Sequence, residues 1–458
     1  MKFTFDAIVV GAGQAGPPLA TRLASAGWNV AIVERHLFGG TCVNNGCTPT
    51  KAMVASAHAA HLARRGADFG VHTGAVSVDM RAVKARKDAI VLPARTGIEK
   101  NLRTTKNCTV FTGTAAFASP TTMRVGDDIL EAPKIFLNVG ARPTVPKMPG
   151  VDSVPFLTST TILDLDTLPE HLIVVGAGSV GLEFAQMFHR FGSRVTIVDM
   201  SSRLASHEDE DASAVIRAVF DSESIEVRLN ATCIHLEQRD SEISVGLKCD
   251  EGAPHATGSH VLLAVGRTPN TDDLNLAAAG ITPDQHGYVP VDDQLRTSVP
   301  GIFALGDCNG RGGFTHTSYN DYEIVADNLL AGASRRVSDR ILAYATFIDP
   351  PLAHIGMHEA EVRATKKPAL VGMRPMTRVS RAIEKGETFG FIKVLVDAAT
   401  QHILGATVFG TGGDEAVHCI LTAMYARQPA SLLTHSVHIH PTVAELIPTT
   451  LEDLKPLE

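Results

Sequence analysis

One pattern occurs twice in the chain, and it limits the fold more than any other feature. Residues 7–35 read AIVVGAGQAGPPLATRLASAGWNVAIVER, and residues 172–200 read LIVVGAGSVGLEFAQMFHRFGSRVTIVDM. At an offset of 165 residues, Gly11, Gly13, Gly16 and Gly27 recur as Gly176, Gly178, Gly181 and Gly192, and Glu34 recurs as Asp199. Each copy reads as an apolar strand, a G-x-G-x-x-G turn, a helix closed by glycine, and a second apolar strand ending in an acid. In such a unit the first glycine makes the tight turn, the second lets the backbone approach a pyrophosphate, and the third lets helix and strand pack closely. The helix N-terminus presents N–H groups and a positive dipole end to phosphate. The terminal acid accepts hydrogen bonds from a ribose diol. A lone glycine fingerprint is weak evidence; the complete unit, found twice, is strong. Pro17 and Pro18 fall in the first helical turn, where a missing N–H removes no helical bond.

Two dinucleotide sites in one chain imply two different dinucleotides and an electron relay between them. Asp199 favours the free 2′-hydroxyl of NAD and repels the 2′-phosphate of NADP. Arg203 could serve a phosphate instead, so NADH is expected and NADPH is the alternative. KIFLNVGARP (134–143) and HVLLAVGRTPN (260–270) each read as a strand running into a glycine turn, where the chain passes between nucleotide-binding units. VPGIFALGDCNG (299–310) is a further strand, ending in Gly306 and Asp307, an acid placed to hold a ribose or polyol. The last hundred or so residues lack a phosphate fingerprint and read as an α+β interface domain.

The rest of the composition excludes classes. A chain of 458 residues with 44% hydrophobic and 20% charged residues belongs to the soluble globular class with two to four domains. Its net charge of -8, without a long basic run, argues against nucleic acid. No apolar run approaches the roughly 18 residues that span a bilayer. The apolar start runs straight into the first fingerprint, which argues against a signal peptide. A cytoplasmic location is expected.

Of seven cysteines, Cys108, Cys233, Cys249, Cys308 and Cys419 are scattered and expected to be inert thiols. Cys42 and Cys47 lie together in GGTCVNNGCTPTK, a few residues after the first ribose acid. A redox pair is the economical reading, since a two-electron carrier matches a dithiol/disulfide couple and cytosolic disulfides tend to be catalytic. A zinc site or an inert pair is the alternative, but zinc needs a second cysteine pair. Residues five apart on a regular helix rise about 7.5 Å, beyond the roughly 7 Å limit for bridged Cα atoms. The stretch must therefore be distorted near Gly46 or Pro49, or be only partly helical. A helix N-terminus there would favour the thiolate.

Near the other end, HSVHIHPTVAELIP (435–448) holds His435, His438, His440 and Glu445. It reads either as a zinc cluster lacking its remaining ligands or as an acid–base pair in which Glu445 orients His440. Thiol exchange needs such a base, and histidine titrates in the right range. His438 is expected to pack, and His435 to be a surface or core residue.

GGTCVNNGCTPTK, GIFALGDC and HIHPTVAE together resemble the class I pyridine nucleotide–disulfide oxidoreductases, nearest to dihydrolipoyl dehydrogenase and mercuric reductase-like members, and the resemblance covers essentially the whole chain. It implies an α/β fold with two Rossmann-like dinucleotide-binding domains, for FAD and NAD(P), plus a C-terminal α+β dimerisation domain. The expected spans are 1–150 for the FAD domain, 151–270 for the NAD(P)H domain, 271–335 for the second part of the FAD region, and 336–458 for dimerisation. It further implies FAD on Gly11, Gly13, Gly16, Glu34, Gly40, Thr41, Gly113 and Asp307, with Lys51 beside the flavin N5 and paired with Glu183. NAD(P)H would lie on Gly176, Gly178, Gly181, Asp199 and Gly266. Hydride would pass to the flavin and on to the Cys42–Cys47 disulfide, with Cys47 nearer the flavin and Cys42 attacking the substrate. His440 and Glu445 would come from the other subunit of a homodimer. No resident metal is expected.

The substrate implied is a small disulfide, or alternatively a metal ion or oxidant. This chain ends TTLEDLKPLE without the C-terminal cysteine pair of well-known mercuric reductases, and it keeps His440, so mercury reduction is the weaker expectation, although two thiols alone could bind a soft metal ion. Gln14 and Thr21 differ from the residues glutathione reductases place there. THTSYNDYE (315–323) departs from the dihydrolipoyl dehydrogenase pattern, with Tyr319 and Tyr322 either shaping a substrate entrance or simply packing. A nucleotide- or metal-binding protein without catalysis is the remaining reading.

Overall fold

A computed structural model describes residues 1–240, 242–248 and 254–457. Each copy of the repeat builds the middle of a five-stranded parallel sheet, and four strands of the two sheets share one order, while the edge strand follows the first unit in sequence and precedes the second. The first sheet uses β1 (Ala7–Val10), β2 (Val30–Glu34), β3 (Cys108–Thr112), β4 (Lys134–Leu137) and β10 (Ile302–Ala304), in the order β10–β4–β1–β2–β3. The second uses β5 (Leu157–Thr158), β6 (His171–Val175), β7 (Arg194–Val198), β8 (Glu226–Arg228) and β9 (His260–Leu263), in the order β5–β9–β6–β7–β8. Strand β1, and β6 after its first residue His171, are apolar because both of their faces are covered; all their residues are buried. KIFLNVGARP and HVLLAVGRTPN supply β4 and β9, the equivalent neighbours of the two central strands.

The helices follow the same logic. Helix α1 (Gly16–Ser25) carries Pro17 and Pro18 at its first positions. Two helices, α2 (Gly40–Asn45) and α3 (Cys47–Arg64), meet at Gly46, and α4 (Met80–Thr104) packs beside both. In the second unit, α5 (Ser179–Phe191) follows β6, and α6 (Glu210–Ser222) follows β7. Helix α7 (Thr315–Leu330) returns against α1.

The C-terminal part is an antiparallel sheet of six strands, in the order β11 (Ala343–Thr346), β12 (Leu352–Gly356), β15 (Ile403–Phe409), β14 (Phe391–Asp397), β13 (Ala369–Pro375) and β16 (Lys455–Pro456). It is backed by α8 (Gly413–Tyr425) and α9 (Leu446–Glu452). The α+β character expected of this part is observed. Its junction with the second nucleotide unit combines an apolar core, in which Phe391 and Phe409 cluster with Phe184 and Phe188, with a buried ionic joint: Lys393, 2% exposed, donates to Asp209 and Asp211 at 2.7 Å and to Glu359 at 3.3 Å. Among the described residues no helix is long and apolar enough to cross a membrane.

Candidate active site

The two glycine turns are built alike. Gly11 N–H donates to Val33 at 2.8 Å and Gly176 N–H to Val198 at 2.9 Å, tying each turn to the end of the neighbouring strand. A Cβ on Gly11 would sit 2.3 Å from the Asn138 carbonyl oxygen, and one on Gly176 would sit 2.4 Å from that of Ala264. Both residues also have positive φ, so glycine is required there twice over. A Cβ on Gly16 or Gly181 would meet the carbonyl oxygen of the first glycine at 2.0 Å, which enforces close helix–strand packing. A Cβ on Gly178 would meet nothing within 4 Å, whereas one on Gly13 would meet only Asn138 atoms. The middle glycine of the second turn thus borders open space at the N-terminus of α5, a cradle suited to a pyrophosphate.

The two acids are held alike as well. Glu34 accepts from Ala12 N–H at 2.8 Å and His36 N–H at 2.9 Å, and Asp199 accepts from Ala177 N–H and Ser201 N–H at 2.6 Å each. Each carboxylate oxygen keeps a lone pair for a ribose hydroxyl. Both donor sets therefore fit an adenosine dinucleotide. Arg203 is turned from Asp199 onto Ser206 O (2.9 Å), Glu208 O (3.0 Å) and Glu210 (3.3 Å).

The other expected FAD contacts collect around the first turn. Gly40 opens α2 against Gly13, whose Cα would lie 2.7 Å from a Cβ at Gly40. Gly113 N–H donates to the Glu34 carbonyl at 2.9 Å. Asp307 lies beyond β10, its carboxyl pushed up by burial against the pull of Arg267 at 3.7 Å. Arg267 also donates to Thr41 at 3.3 Å and to the Ala141 carbonyl. Asn138 staples the turn to this strand, accepting from Gly16 N–H at 2.9 Å and donating to Leu305 O at 3.0 Å. In the second unit, Gly266 has φ +116° and accepts from Thr144 N–H at 3.0 Å.

The cysteine pair straddles the expected break. Gly46, at φ -135° and ψ -115°, separates α2 from α3, and Cys47 is the first residue of α3, with Pro49 inside its first turn. A Cβ at Gly46 would lie 2.9 Å from Thr41 O, so the break needs glycine. Cys42 is half-buried and Cys47 exposed, and both are free thiols in this structure. They are unequal. The Cys42 thiol donates to Cys47, burial opposes, and Thr315 and Lys51 add to the pull, so that Cys47 is lowered to about 6. Cys42, as that donor and by its own burial, is pushed far above the usual thiol range. Thr315 Oγ1 lies 3.2 Å from Cys47 Sγ. Lys51, one helical turn beyond Cys47, bonds Glu183 of α5 at 2.6 Å. Glu183 is 6% exposed, and its other oxygen accepts from Phe347 N–H at 2.8 Å.

His440 and Glu445 meet. His440 Nδ1 lies 3.0 and 2.9 Å from the two Glu445 oxygens, and Thr442 closes the loop by exchanging hydrogen bonds with Glu445. A carboxylate on Nδ1 selects the tautomer that leaves Nε2 as the base. The imidazole is 73% exposed and its carboxylate 16%. His438 bonds the Ser436 carbonyl at 3.1 Å, and His435 is exposed. No hydrogen bond among the described residues joins this pair to the cysteines of the same chain. Val437 and Ile439 beside it are 101% and 80% exposed.

The remaining candidates separate cleanly. Cys308 is fully buried, its thiol pushed up to about 12, Cys108 is raised by burial to about 11, and Cys419 is raised as well. Cys249 and the side chain of Cys233 lie outside the described residues. Among the described residues no group of three or more His, Cys, Asp or Glu is placed to hold a metal ion. Tyr319 and Tyr322 pack edge to face at 4.8 Å, and Tyr322 joins Pro17, Pro18, Thr21, Pro93 and Ile98 in lining a cavity of about 750 Å³ between α1 and α4. Thr315, Asn138, Arg267 and Phe347 are the site residues sequence reasoning missed. Asn138 and Arg267 had a signal, lying within two residues of Gly140 and Gly266 in the strand-to-glycine segments, and Thr315 opens the divergent stretch 315–323.

The sequence matches the family described as pyridine nucleotide-disulphide oxidoreductase over residues 5–321, and that family's dimerisation domain over residues 342–451. It is 34% identical over 449 residues to the probable pyridine nucleotide-disulfide oxidoreductase RclA of Escherichia coli, covering 96% of this chain and 97% of the relative. It is 34% identical to a mercuric reductase of Streptomyces lividans (97% and 94% covered) and 30% identical to a dihydrolipoyl dehydrogenase of Chlamydia trachomatis (97% and 96% covered). The solved Cu(II) complex of the HOCl-induced flavoprotein disulfide reductase RclA from Escherichia coli superposes with a TM-score of 0.90 at 33% identity, covering 98% of this chain and 99% of that one.

Proposed function

Because the chain belongs to the pyridine nucleotide-disulphide oxidoreductase family, we propose that it uses Cys42 and Cys47 as the exit of its electron relay and reduces a small disulfide. The enzyme is an FAD-dependent NAD(P)H oxidoreductase and carries the family's dimerisation domain. When bound, the flavin supplies a two-electron acceptor for nicotinamide hydride and a two-electron donor to a disulfide.

The observation that carries the reading is the setting of the pair across the Gly46 break, with Thr315 Oγ1 3.2 Å from Cys47 Sγ and Lys51 one helical turn on. Cys47, beside Thr315 and Lys51, keeps the negative charge of the reduced pair. Cys42 keeps the proton and is the thiol left to attack. His440 Nε2 takes that proton as Cys42 Sγ attacks a substrate sulfur, and the first thiol leaves protonated. Cys47 Sγ then attacks Cys42 Sγ, the mixed disulfide breaks, and the second sulfur leaves as a thiolate that takes its proton from water. The dithiol is oxidised to the disulfide and one substrate disulfide becomes two thiols. Glu445 holds the imidazole and its positive charge.

Three further assignments belong to this reading. The base is supplied by a second copy of the chain, since Val437 and Ile439 expose apolar surface around it that a partner would cover. NADH is preferred over NADPH, because Asp199, held by Ala177 N–H of the second glycine turn, would repel a 2′-phosphate while Arg203 is engaged elsewhere. The glycine, acid and lysine positions above hold the two cofactors. Anaerobic NADH titration tests the core of the scheme: wild type takes up one more electron pair per chain than Cys42→Ser, and Cys47→Ser keeps FAD but loses disulfide reduction. Equal uptake by wild type and Cys42→Ser would sink it.

A second reading, reduction of a metal ion or oxidant in stress resistance, is favoured by the exposure of Cys47 and by the mercuric reductase and Cu(II)-complexed relatives. Hg²⁺, Cu²⁺ or hypochlorite that leaves NADH consumption unchanged rejects it.

A further inference from the structure

The segment Thr346–Asp349 leaves β11 of the C-terminal module and lies along α5, meeting it at every turn. Thr346 Oγ1 lies 2.7 Å from Ser179 Oγ; Phe347 N–H donates to Glu183 at 2.8 Å; Asp349 exchanges bonds of 2.7 and 2.8 Å with Gln186; and its carboxylate accepts from Arg190 at 2.5 Å. The same carboxylate lies 2.8 Å from His58 Nδ1 on α3. Helices α3 and α5 are thus joined by Lys51–Glu183, by His58–Asp349–Arg190 and by Arg64 donating to the Arg190 carbonyl, and the strap takes part in the first two joints.

At the first joint Phe347 acts on both partners. Its N–H holds the Glu183 oxygen that Lys51 does not use, and its ring centroid lies 4.5 Å from Lys51 Nζ. A lysine ammonium ends a flexible stem, and one hydrogen bond leaves it free to swing about that bond. The Lys51 side chain is 35% exposed, so water is within its reach. An aromatic face supplies a second attraction in a second direction and removes that freedom. Resting on the assignment of Lys51 to the flavin side of the site, we propose that Phe347 is a positioning residue of the Lys51–Glu183 pair. A side chain of the dimerisation module thereby fixes the positive charge that the bound flavin experiences.

The test uses the holoenzyme in a Cys42→Ser background, so that no disulfide competes for electrons. The two-electron reduction equilibrium of bound FAD is measured against a reference dye, together with its visible spectrum. Lys51→Met removes the charge and disfavours reduced flavin. Phe347→Leu, which keeps bulk but not the ring, shifts the equilibrium the same way by about three- to tenfold, about 15 to 30 mV. Phe347→Tyr, which restores the ring, returns it to within about twofold of wild type. An unshifted Phe347→Leu beside a shifted Lys51→Met overturns the proposal, as does a Tyr variant no better than Leu. An unshifted Lys51→Met overturns instead the placement of Lys51 at the flavin, and the proposal with it. Phe347→Met replaces the Leu variant if the latter loses FAD.

Discussion

Replacing Thr315 by valine removes one hydroxyl from beside Cys47 Sγ and changes almost nothing else in shape. The contact is 3.2 Å long, and when the sulfur is ionised the hydroxyl is its donor. A hydrogen bond to a charged group contributes about 1.5–3 kcal/mol, or about one to two pKa units at about 1.4 kcal/mol each. Cys47 is exposed, so water replaces part of the lost bond and the low end applies. The thiol should rise by about one unit from its value of about 6. At pH near 6 the thiolate fraction then falls from about one half to about one tenth, a fivefold slower alkylation, whereas at alkaline pH the two proteins react alike. The assay is iodoacetamide labelling of the reduced enzyme over a range of pH, with Cys42 and Cys47 resolved by peptide mass spectrometry. Thr315→Ser should restore the wild-type profile. Superimposable profiles for wild type and Thr315→Val would refute the reasoning, because the inequality of the thiols would then owe nothing to α7.

Three other outcomes follow from the geometry. Gly176→Ala should fail to fold or melt far below wild type, since its Cβ meets a carbonyl oxygen at 2.4 Å, while Gly178→Ala should melt normally and lose about tenfold in NADH affinity, as calorimetry and fluorescence titration would show. Lys393→Met should cost about 3 kcal/mol in urea unfolding, because Asp209, Asp211 and Glu359 lose their shared buried cation, and a cost below about 1 kcal/mol would contradict that account. Burial raises Asp209 and Asp349, but His358 with Lys393 in one case, and His58 with Arg190 in the other, outweigh it and hold both carboxyls well below the ordinary range. A depressed folded-state pKa gives stability that is present above the unfolded value of about 3.9 and is lost as pH falls through the folded one, so Asp349→Asn should narrow the gap between unfolding at neutral pH and below pH 4.

The parts of this enzyme that repeat, or that lie close in sequence, were readable from the chain. The duplicated unit became two sheets that share the order of four strands, down to each acid accepting from the alanine of its own glycine turn. A break near Gly46 or Pro49 followed from helical rise together with the reach of a bridged cysteine pair, and it lies at Gly46. His440 and Glu445 are five residues apart and meet as that spacing allows. Thr315 was not readable: it reaches Cys47 across 268 residues, from the first turn of a helix whose pattern records only packing. Phe347 was missed for a related reason, since half of its contribution is a backbone N–H, which no side-chain pattern reports. The role of the two tyrosines stood even in the sequence. Tyr322 forms part of a cavity wall, and Tyr319, 45% exposed, stands edge-on against it.

The strap from Thr346 to Asp349 also bears on how the protein is made. Helix α5 is synthesised more than 150 residues before the segment that satisfies Glu183 and Gln186. A nascent chain that has completed both nucleotide folds still has these groups waiting, and Arg190 holding Glu223 alone. The contacts between this segment and α5 are therefore complete only when the last quarter of the polypeptide arrives. A chain that ended before this segment would leave Glu183, Gln186 and Arg190 without the partners it supplies to them.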